Sequence, residues 1–251
     1  MKNFAILAAC AALLAPIAAS EQENPARIAS VTIAGSPHNY TITIRGTGLG
    51  HWPSSLPALP FTGDIQYFRI GDVGKGEAGF IGDAYTVNYQ VWTPNEIRIG
   101  YNVAIANDNF VIVAHNPQTH LGSAWAGVIP PVTAGRPIIA SVTLSGSGEH
   151  LGMVITGSGF GKNPSVGFTD WRLHPFGFNN QSALWGAGDS GQITLVYGER
   201  RKKRIVVHGF AGAYGSGSGS TQFAALPNDP VTISVTNVKT GLWAHWGGNV
   251  P

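Results

Sequence analysis

The chain has 251 residues, and its 15 Lys and Arg with 13 Asp and Glu make it 11% charged, against roughly 25% for an average soluble protein. A hydrophobic content of 43% is sufficient for a core and excludes a disordered chain, and the 34 glycines follow no three-residue period, which excludes collagen. Low charge with abundant glycine favours a β protein with many turns. The length allows one large domain or two ordinary ones.

The first twenty residues have the form of a secretory signal peptide. Lys2 precedes an apolar stretch from Phe4 to Ile17, and small residues at 18–20 offer a cleavage site. The segment 1–20 predicts a protein that is secreted or held at the cell surface, in an extracellular or periplasmic location. The single cysteine, Cys10, lies within this segment, so the mature chain is expected to have no disulfide. No later stretch has the roughly 18 apolar residues of a membrane span.

The remainder of the chain contains one sequence pattern twice. Residues 28–36 and 139–147 are identical at seven of nine positions, at an offset of 111. The ends of the two copies also match, since Trp125 corresponds to Trp246 at an offset of 121, so the second copy is ten residues longer. A repeat of this size predicts two tandem domains, at 27–131 and 137–251, with a short, stiff, proline-containing linker between them.

Within each copy, the polar and apolar residues alternate as a half-buried strand requires. In the segment 40–45, Tyr and Ile occupy one face and Thr and Arg the other. The same reasoning predicts further strands at 65–70, 85–92, 96–101, 110–115, 153–156, 192–197, 204–208 and 231–236. Short strands separated by Gly, Pro and Asn turns are typical of an antiparallel β-sandwich, so the fold class is predicted as all-β.

Two glycine-rich turns carry a resemblance to a known family. The segments 30–33 and 41–50 in the first copy, and 154–161 with Pro164 in the second, resemble IPT/TIG-type immunoglobulin-like domains, in which a strand ends in I-x-G-x-G-F-G before a proline-containing turn. The resemblance implies an Ig-like sandwich and a binding or spacer role. Bacterial relatives often occur in secreted or surface proteins beside polysaccharide-active modules, and other members contact proteins or DNA.

Few residues offer catalytic or metal-binding chemistry. The sequence has no nucleophile elbow, phosphate-binding loop or mature cysteine, and its eight histidines are scattered, so we expect a non-enzyme with no cofactor and no metal. Asp64, Asp72 and Asp83 could bind calcium or act as ordinary turn residues, and turn chemistry is favoured. A hydrolase that uses an unrecognised carboxylate pair stays open as an alternative.

A basic run and a set of tryptophans are the candidate binding residues. Positive charge is concentrated at 200–204, between two predicted strands, where it could contact an anionic polymer or form a solvated turn. Trp125 and Trp246 occupy equivalent positions and are predicted to be structural. The other tryptophans could stack on sugar rings or pack in the core. The predicted anionic contacts are Arg200, Arg201, Lys202, Lys203 and Arg204, and the predicted ligand-binding rings are Trp52, Trp92, Trp171, Trp185 and Trp243.

These observations predict a secreted, non-catalytic protein that recognises an extracellular polysaccharide or other polymer through exposed tryptophans and the basic hairpin. A structural or adhesive surface protein that binds another protein is the alternative from a different class. Nucleic acid is not an expected partner, because the predicted signal peptide directs the protein outside the cell.

Overall fold

The computed structural model describes residues 25–36, 39–63, 65, 67–72, 79–80, 87–101, 109–128, 135–172, 185–189, 191–215 and 224–251, with positions 71, 72, 79, 80 and 109 by backbone alone. The predicted signal peptide and the linker residues 129–134 lie outside this part of the chain.

The described residues of both copies form β-strands. Those of the first copy are β1 (Arg27–Ser36), β2 (Asn39–Thr47), β3 (Phe61–Gly63), β4 (Phe68–Asp72), β5 (Gly79–Phe80), β6 (Val87–Trp92), β7 (Glu96–Tyr101), β8 (Asn109–His115) and β9 (Gly122–Val128). Those of the second are β10 (Ile138–Ser145), β11 (Gly152–Ser158), β12 (Ser165–Asp170), β13 (Trp185–Ala187), β14 (Ile193–Arg200), β15 (Arg204–Gly212), β16 (Pro230–Thr236) and β17 (Trp243–Asn249). A short 3₁₀ turn at Gly148–His150 precedes β11.

The strands form two antiparallel sheets in each copy. The first copy has the orders β1-β2-β7-β6-β3 and β5-β4-β8-β9, and the second has β10-β11-β15-β14 and β13-β12-β16-β17. The matching orders make β1, β2, β7 and β6 equivalent to β10, β11, β15 and β14. The prediction of an all-β chain with Ig-like sandwiches is therefore confirmed.

The repeat in the sequence is also a repeat in the backbone. The β1–β2 register shifts between Ile28 and Ser30, and the β10–β11 register shifts between the equivalent Ile139 and Ser141. A bulge inserts one residue and bends the strand, and here it bends both edge strands at the same point.

Each copy buries its own apolar cluster. In β2, the side chains of Tyr40, Ile42 and Ile44 are buried while Thr41 and Arg45 are exposed, as the alternation predicts. One cluster contains buried residues from Ala26 to Ala114, and the other contains residues from Leu151 to Val250. Removal of this apolar surface from water is the main stabilising contribution in a chain whose strands carry so few charges.

Two predicted elements differ from the structure. The strand predicted at 65–70 begins later, at Phe68, because the Phe68 amide donates to the Ile65 carbonyl at 3.3 Å and turns the chain there. The strand predicted at 192–197 continues to Arg200, which places this first residue of the basic run on β14. The second copy gains its length after the hairpin turn: β15 is three residues longer than β7, and the connection at 213–229 is ten residues longer than its equivalent at 102–108. The segment from Pro164 to Arg201 is in turn three residues shorter than the segment from Pro53 to Thr93, which leaves a net difference of ten.

The two sandwiches meet through strands that the duplication makes equivalent, β9 and β17. A Cβ built on Gly247 would lie 2.6 Å from the Cα of Trp125, so the two backbones are in direct contact. The Asn249 amide donates to the Gly122 carbonyl at 2.6 Å, and the Ser123 hydroxyl donates to Asn249 Oδ1 at 3.1 Å. Trp171 of the second sandwich completes an apolar cluster with residues of β8 and β9, namely Val111, Val113, Ala124 and Ala126.

Candidate functional site

Three of the five tryptophans predicted to bind a ligand are buried. Trp92, Trp171 and Trp185 are 4%, 5% and 4% exposed. Each indole N–H has a partner inside the protein at 2.9 Å: the Leu49 carbonyl, the Thr232 hydroxyl and the Asp170 carboxyl group respectively. A ring enclosed in this way cannot stack on a sugar unless the core opens, so these three residues are removed from the predicted binding surface.

The remaining two candidate rings belong to different sandwiches. Trp52 is half-buried, donates to the Pro57 carbonyl at 2.7 Å and packs 5.9 Å from Trp92 between ring centroids. Trp243 is half-buried at the start of β17, with its ring centroid 4.9 Å from that of His245. The five predicted residues therefore do not form one aromatic platform.

The equivalent tryptophans Trp125 and Trp246 have matching structural positions. Each ring lies over the glycine two residues further along the strand, so that a Cβ on Gly127 or Gly248 would be 2.1 or 2.2 Å from the ring. Both rings are half-buried and pack against their own cores. Glycine is required on this face because no side chain fits beneath the indole.

The basic run lies at the hairpin that joins β14 to β15. The Arg201 amide donates to the Arg204 carbonyl at 2.8 Å, as the Thr93 amide does to the Glu96 carbonyl in the first copy. The turn residues are thus 201–203, which we call the basic hairpin turn. The same turn carries Thr93, Pro94 and Asn95 in the first copy, where it has no charge.

The five cations of the run differ in their partners. Arg200 is held in place: Nη2 contacts the Pro164 carbonyl at 2.6 Å and Asp189 at 2.8 Å, and the guanidinium lies 4.2 Å from the Tyr197 ring centroid. Glu199 is the counter-ion of Arg201 at 3.1 Å and of Arg204.

The side chains of Lys202 and Lys203 are exposed, and neither makes an ion pair with the described residues. Their backbone is nevertheless fixed. The Lys202 carbonyl accepts from the Phe160 amide at 3.3 Å, and the Lys203 carbonyl accepts from the Gly157 amide at 3.0 Å. The two ammonium groups therefore project into solvent from a defined turn.

A buried carboxyl pair, Asp170 and Asp229, was not found by sequence reasoning. Asp170 is fully buried and Asp229 is 6% exposed. Asp170 accepts from the Arg172 amide and the Trp185 indole, both at 2.9 Å, and Asp229 accepts from the Leu226 amide at 2.6 Å. Asn228-Asp229-Pro230 reads as a turn in the sequence, and nothing local signals that it returns to the end of β12.

The surroundings of this pair keep one proton on it. Burial, together with the neighbouring Asp229, raises the pKa of Asp170 to about 8, and burial also raises the pKa of Asp229. Arg172 lies 3.5 Å from Asp229 and supplies one positive charge. Because the Asp170 carboxyl group has no exposed surface and both of its oxygens are bonded, the arrangement fits a structural role rather than attack on a substrate.

The buried histidines do not converge on a metal site. Burial, with the charge of Arg69, lowers the pKa of His115 to about 3, and burial lowers the pKa of His245 to about 4. Among the described residues, no group of three or more His, Cys, Asp and Glu could hold a metal ion. Asp64 and Asp83 of the calcium prediction lie outside those residues, and only the backbone of Asp72 is described.

No helix in the described part of the chain is long and apolar enough to cross a membrane.

No protein-family model and no curated protein matches this chain. Among solved structures, it is similar to a marsupial T cell receptor, at 13% sequence identity and a TM-score of 0.22, over 91% of this chain and 98% of that one. The sandwich architecture is defined by the sheet orders of the two copies and not by this likeness.

Proposed function

We propose that this chain is an exported, non-catalytic binding protein whose second sandwich recognises an acidic extracellular polysaccharide through its basic hairpin turn. Export is supported by the signal-peptide form of residues 1–20. A relation to IPT/TIG-type domains, and hence a binding role, is supported by the glycine-rich sequence motifs at 46–50 and 157–161.

The observation that carries the proposal is the presentation of Lys202 and Lys203. Both side chains are exposed on a turn whose backbone is bonded to the adjacent strand end. Because the backbone of the turn is fixed, only the lysine side chains must be ordered when an anion binds. Clustered positive charge attracts anionic polymers from a distance of about one Debye length, roughly 8 Å at physiological salt.

Burial of the tryptophans changes the kind of sugar that we propose. With Trp92, Trp171 and Trp185 enclosed, stacking on neutral sugar rings loses most of its predicted surface. The second sandwich retains the half-buried ring of Trp243 and the exposed charges of the hairpin turn. The charges are the larger of these two features, and they select polysaccharides that carry carboxylate or sulfate groups.

A second candidate, adhesion to another protein, is favoured by the two equivalent edge strands. β1 after Arg27 and the whole of β10 carry no charged residue, and much of their length is exposed. Edge strands without charges offer unpaired backbone groups to a strand of another chain.

Retention on immobilised polysaccharides tests the proposal. The intact protein is expected to bind heparin or polygalacturonate and to pass through neutral dextran. Replacement of both lysines in K202Q/K203Q is expected to lower the salt concentration at which the protein elutes, because two ionic contacts are lost. R27Q/R45Q, which removes two exposed charges from the first sandwich, is the matched control and is expected to elute close to wild type. Equal retention on dextran and on the acidic columns would sink the proposal.

A further inference from the structure

We propose that the anion site of the second sandwich is formed by three turns rather than by the hairpin alone, with Lys162 and Lys239 as further contact residues for one acidic polysaccharide chain. This inference rests on the proposed function and extends it. The turns are the basic hairpin turn at 201–203, the glycine turn at 159–163 and the β16–β17 turn at 237–241. They contribute from distant parts of the sequence to one end of the sandwich.

The glycine turn lies directly against the basic hairpin turn. The Phe160 amide donates to the Lys202 carbonyl at 3.3 Å, and Arg200 contacts the carbonyl of Pro164 at 2.6 Å. Phe160 itself is fully buried and anchors the turn in the core. Lys162 follows two residues later and is exposed.

The β16–β17 turn lies against the other side of the glycine turn. The side-chain amide (Nδ2) of Asn237 donates to the Gly159 carbonyl at 2.9 Å, and a Cβ on Gly161 would lie 2.6 Å from Asn237 Oδ1. The Lys239 amide donates back to Asn237 Oδ1 at 3.1 Å, which fixes the backbone from which Lys239 projects. Its side chain is also exposed.

These three turns concentrate the positive charge of the molecule. Four of the six lysines in the sequence lie on them: Lys162, Lys202, Lys203 and Lys239. None of the four makes an ion pair within the part of the chain that the structure describes. Glu199, at the end of β14 beside the hairpin turn, pairs with Arg201 and Arg204.

The first sandwich supplies an internal comparison, because the same three turns there carry no lysine. His51 stands at the position of Lys162, and Gln118 at that of Lys239. These two residues bond to each other, with the His51 amide 2.9 Å from Gln118 Oε1. The three turns have equivalent positions in the two copies. They carry no lysine in the first copy, and each of them carries at least one exposed lysine in the second.

The composition of the three turns favours an acidic polysaccharide over other polyanions. The aromatic residue on them, Phe160, is buried, so the three turns themselves present no ring that could stack on nucleic-acid bases. Val238, 62% exposed beside Lys239, offers an apolar contact for the C–H face of a sugar ring. Several separate cations suit a linear chain with an anionic group on successive sugars.

Titration of K162Q/K239Q with heparin and polygalacturonate tests this inference. All four lysines are exposed, so the variants are expected to fold, and circular dichroism checks that they do. We expect K162Q/K239Q to weaken binding at least about fivefold beyond the R27Q/R45Q control, comparable to K202Q/K203Q, since each removes two charge-assisted contacts.

The outcomes separate this inference from the proposed function. If wild type binds and K202Q/K203Q weakens binding while K162Q/K239Q equals the control, the three-turn site is overturned and the hairpin proposal survives. If wild type binds neither acidic polysaccharide, both fail. Tighter binding to single-stranded DNA or to phosphatidylglycerol vesicles than to either polysaccharide would overturn the ligand class.

Discussion

The buried pair Asp170 and Asp229 makes the free energy of unfolding depend on pH. Their carboxyl groups are hydrogen-bonded to each other, and Arg172 neutralises one charge. An unfolded Asp titrates near pH 4, whereas Asp170 in the folded protein titrates at about 8. Between these values the folded protein holds a proton that unfolding releases, so this group stabilises the fold less as the pH rises.

The substitution Asp170→Asn should flatten that dependence. In wild type, the free energy of unfolding is expected to fall between pH 6.5 and 8, a window above the range in which the buried histidines oppose the trend. In D170N the slope should be shallower, while stability at pH 6 drops by about 1–3 kcal/mol, because the single amide oxygen of Asn cannot accept from both the Trp185 indole and the Arg172 amide as the two Asp170 oxygens do. Urea unfolding at several pH values measures both.

D189N is the control for this prediction, since it removes a carboxylate at the surface of the same sandwich. It should keep the wild-type slope. A D170N protein with an unchanged slope would mean that Asp170 is not the group that holds the proton.

At single residues, exposure on the hairpin was predictable from the sequence, but burial of the tryptophans was not. The exposed lysines of the hairpin were predictable, because a run of charges between two strands can only lie on a turn. The state of the tryptophans was not predictable. Trp171 is buried against Val111 and Val113, sixty residues earlier and in the other sandwich, and no local pattern encodes such a contact.

At the scale of elements, a side chain rather than a backbone ladder links the two sheets of each sandwich. The side-chain amide (Nδ2) of Asn116 donates to the Gly48 carbonyl at 2.9 Å, and the side-chain amide of Asn237 makes the same bond to Gly159. Each Asn also accepts from the amide two residues further on. The glycine turn and the final hairpin of each copy are thus fixed to one another.

Both N116A and N237A should therefore destabilise the protein, each by about 1–2 kcal/mol, because a bonded backbone carbonyl and amide lose their partner. Chemical denaturation monitored by tryptophan fluorescence measures the change. K239A, in the same turn, removes no described bond and is the control. Stability of N237A equal to that of K239A would argue against this linkage.

Element types were largely predictable, because alternation over six residues defines a strand face. Boundaries were less so. The strand predicted at 65–70 contains the Ile65–Phe68 turn, which a run of apolar residues conceals. The place where the second copy becomes longer also required the structure, since sequence offsets locate a change of length only between matched segments.

At the scale of the molecule, the two sandwiches are joined by a close backbone contact. Gly247 lies against Trp125, and Asn249 bonds across the contact to Gly122. The stiff linker predicted from the sequence lies partly outside the described residues, but the contact itself restricts movement between the sandwiches.

Gly247→Val should separate the sandwiches without disrupting β17, since valine suits a strand but its Cβ would lie 2.6–2.7 Å from three backbone atoms of Trp125. We expect a larger radius of gyration by small-angle X-ray scattering and two resolved thermal transitions by calorimetry. Gly188→Ala, where a Cβ has 3.8 Å of space, is the control. A G247V protein with the wild-type radius and a single transition would contradict the contact.

Charge on the whole molecule is small, with a formal net charge of +2, yet it is unevenly distributed. The proposed binding depends on this asymmetry, because a slightly acidic first sandwich and a basic second one share the same scaffold.

The salt dependence of heparin affinity measures how many of these cations contact the ligand. Wild type should show a linear fall of log affinity with log salt, and neutralisation of Lys162, Lys202, Lys203 and Lys239 together should reduce the slope by about one for each lysine in contact. R27Q/R45Q should leave the slope unchanged. A slope that is the same in the fourfold variant as in wild type would contradict recognition by the second sandwich.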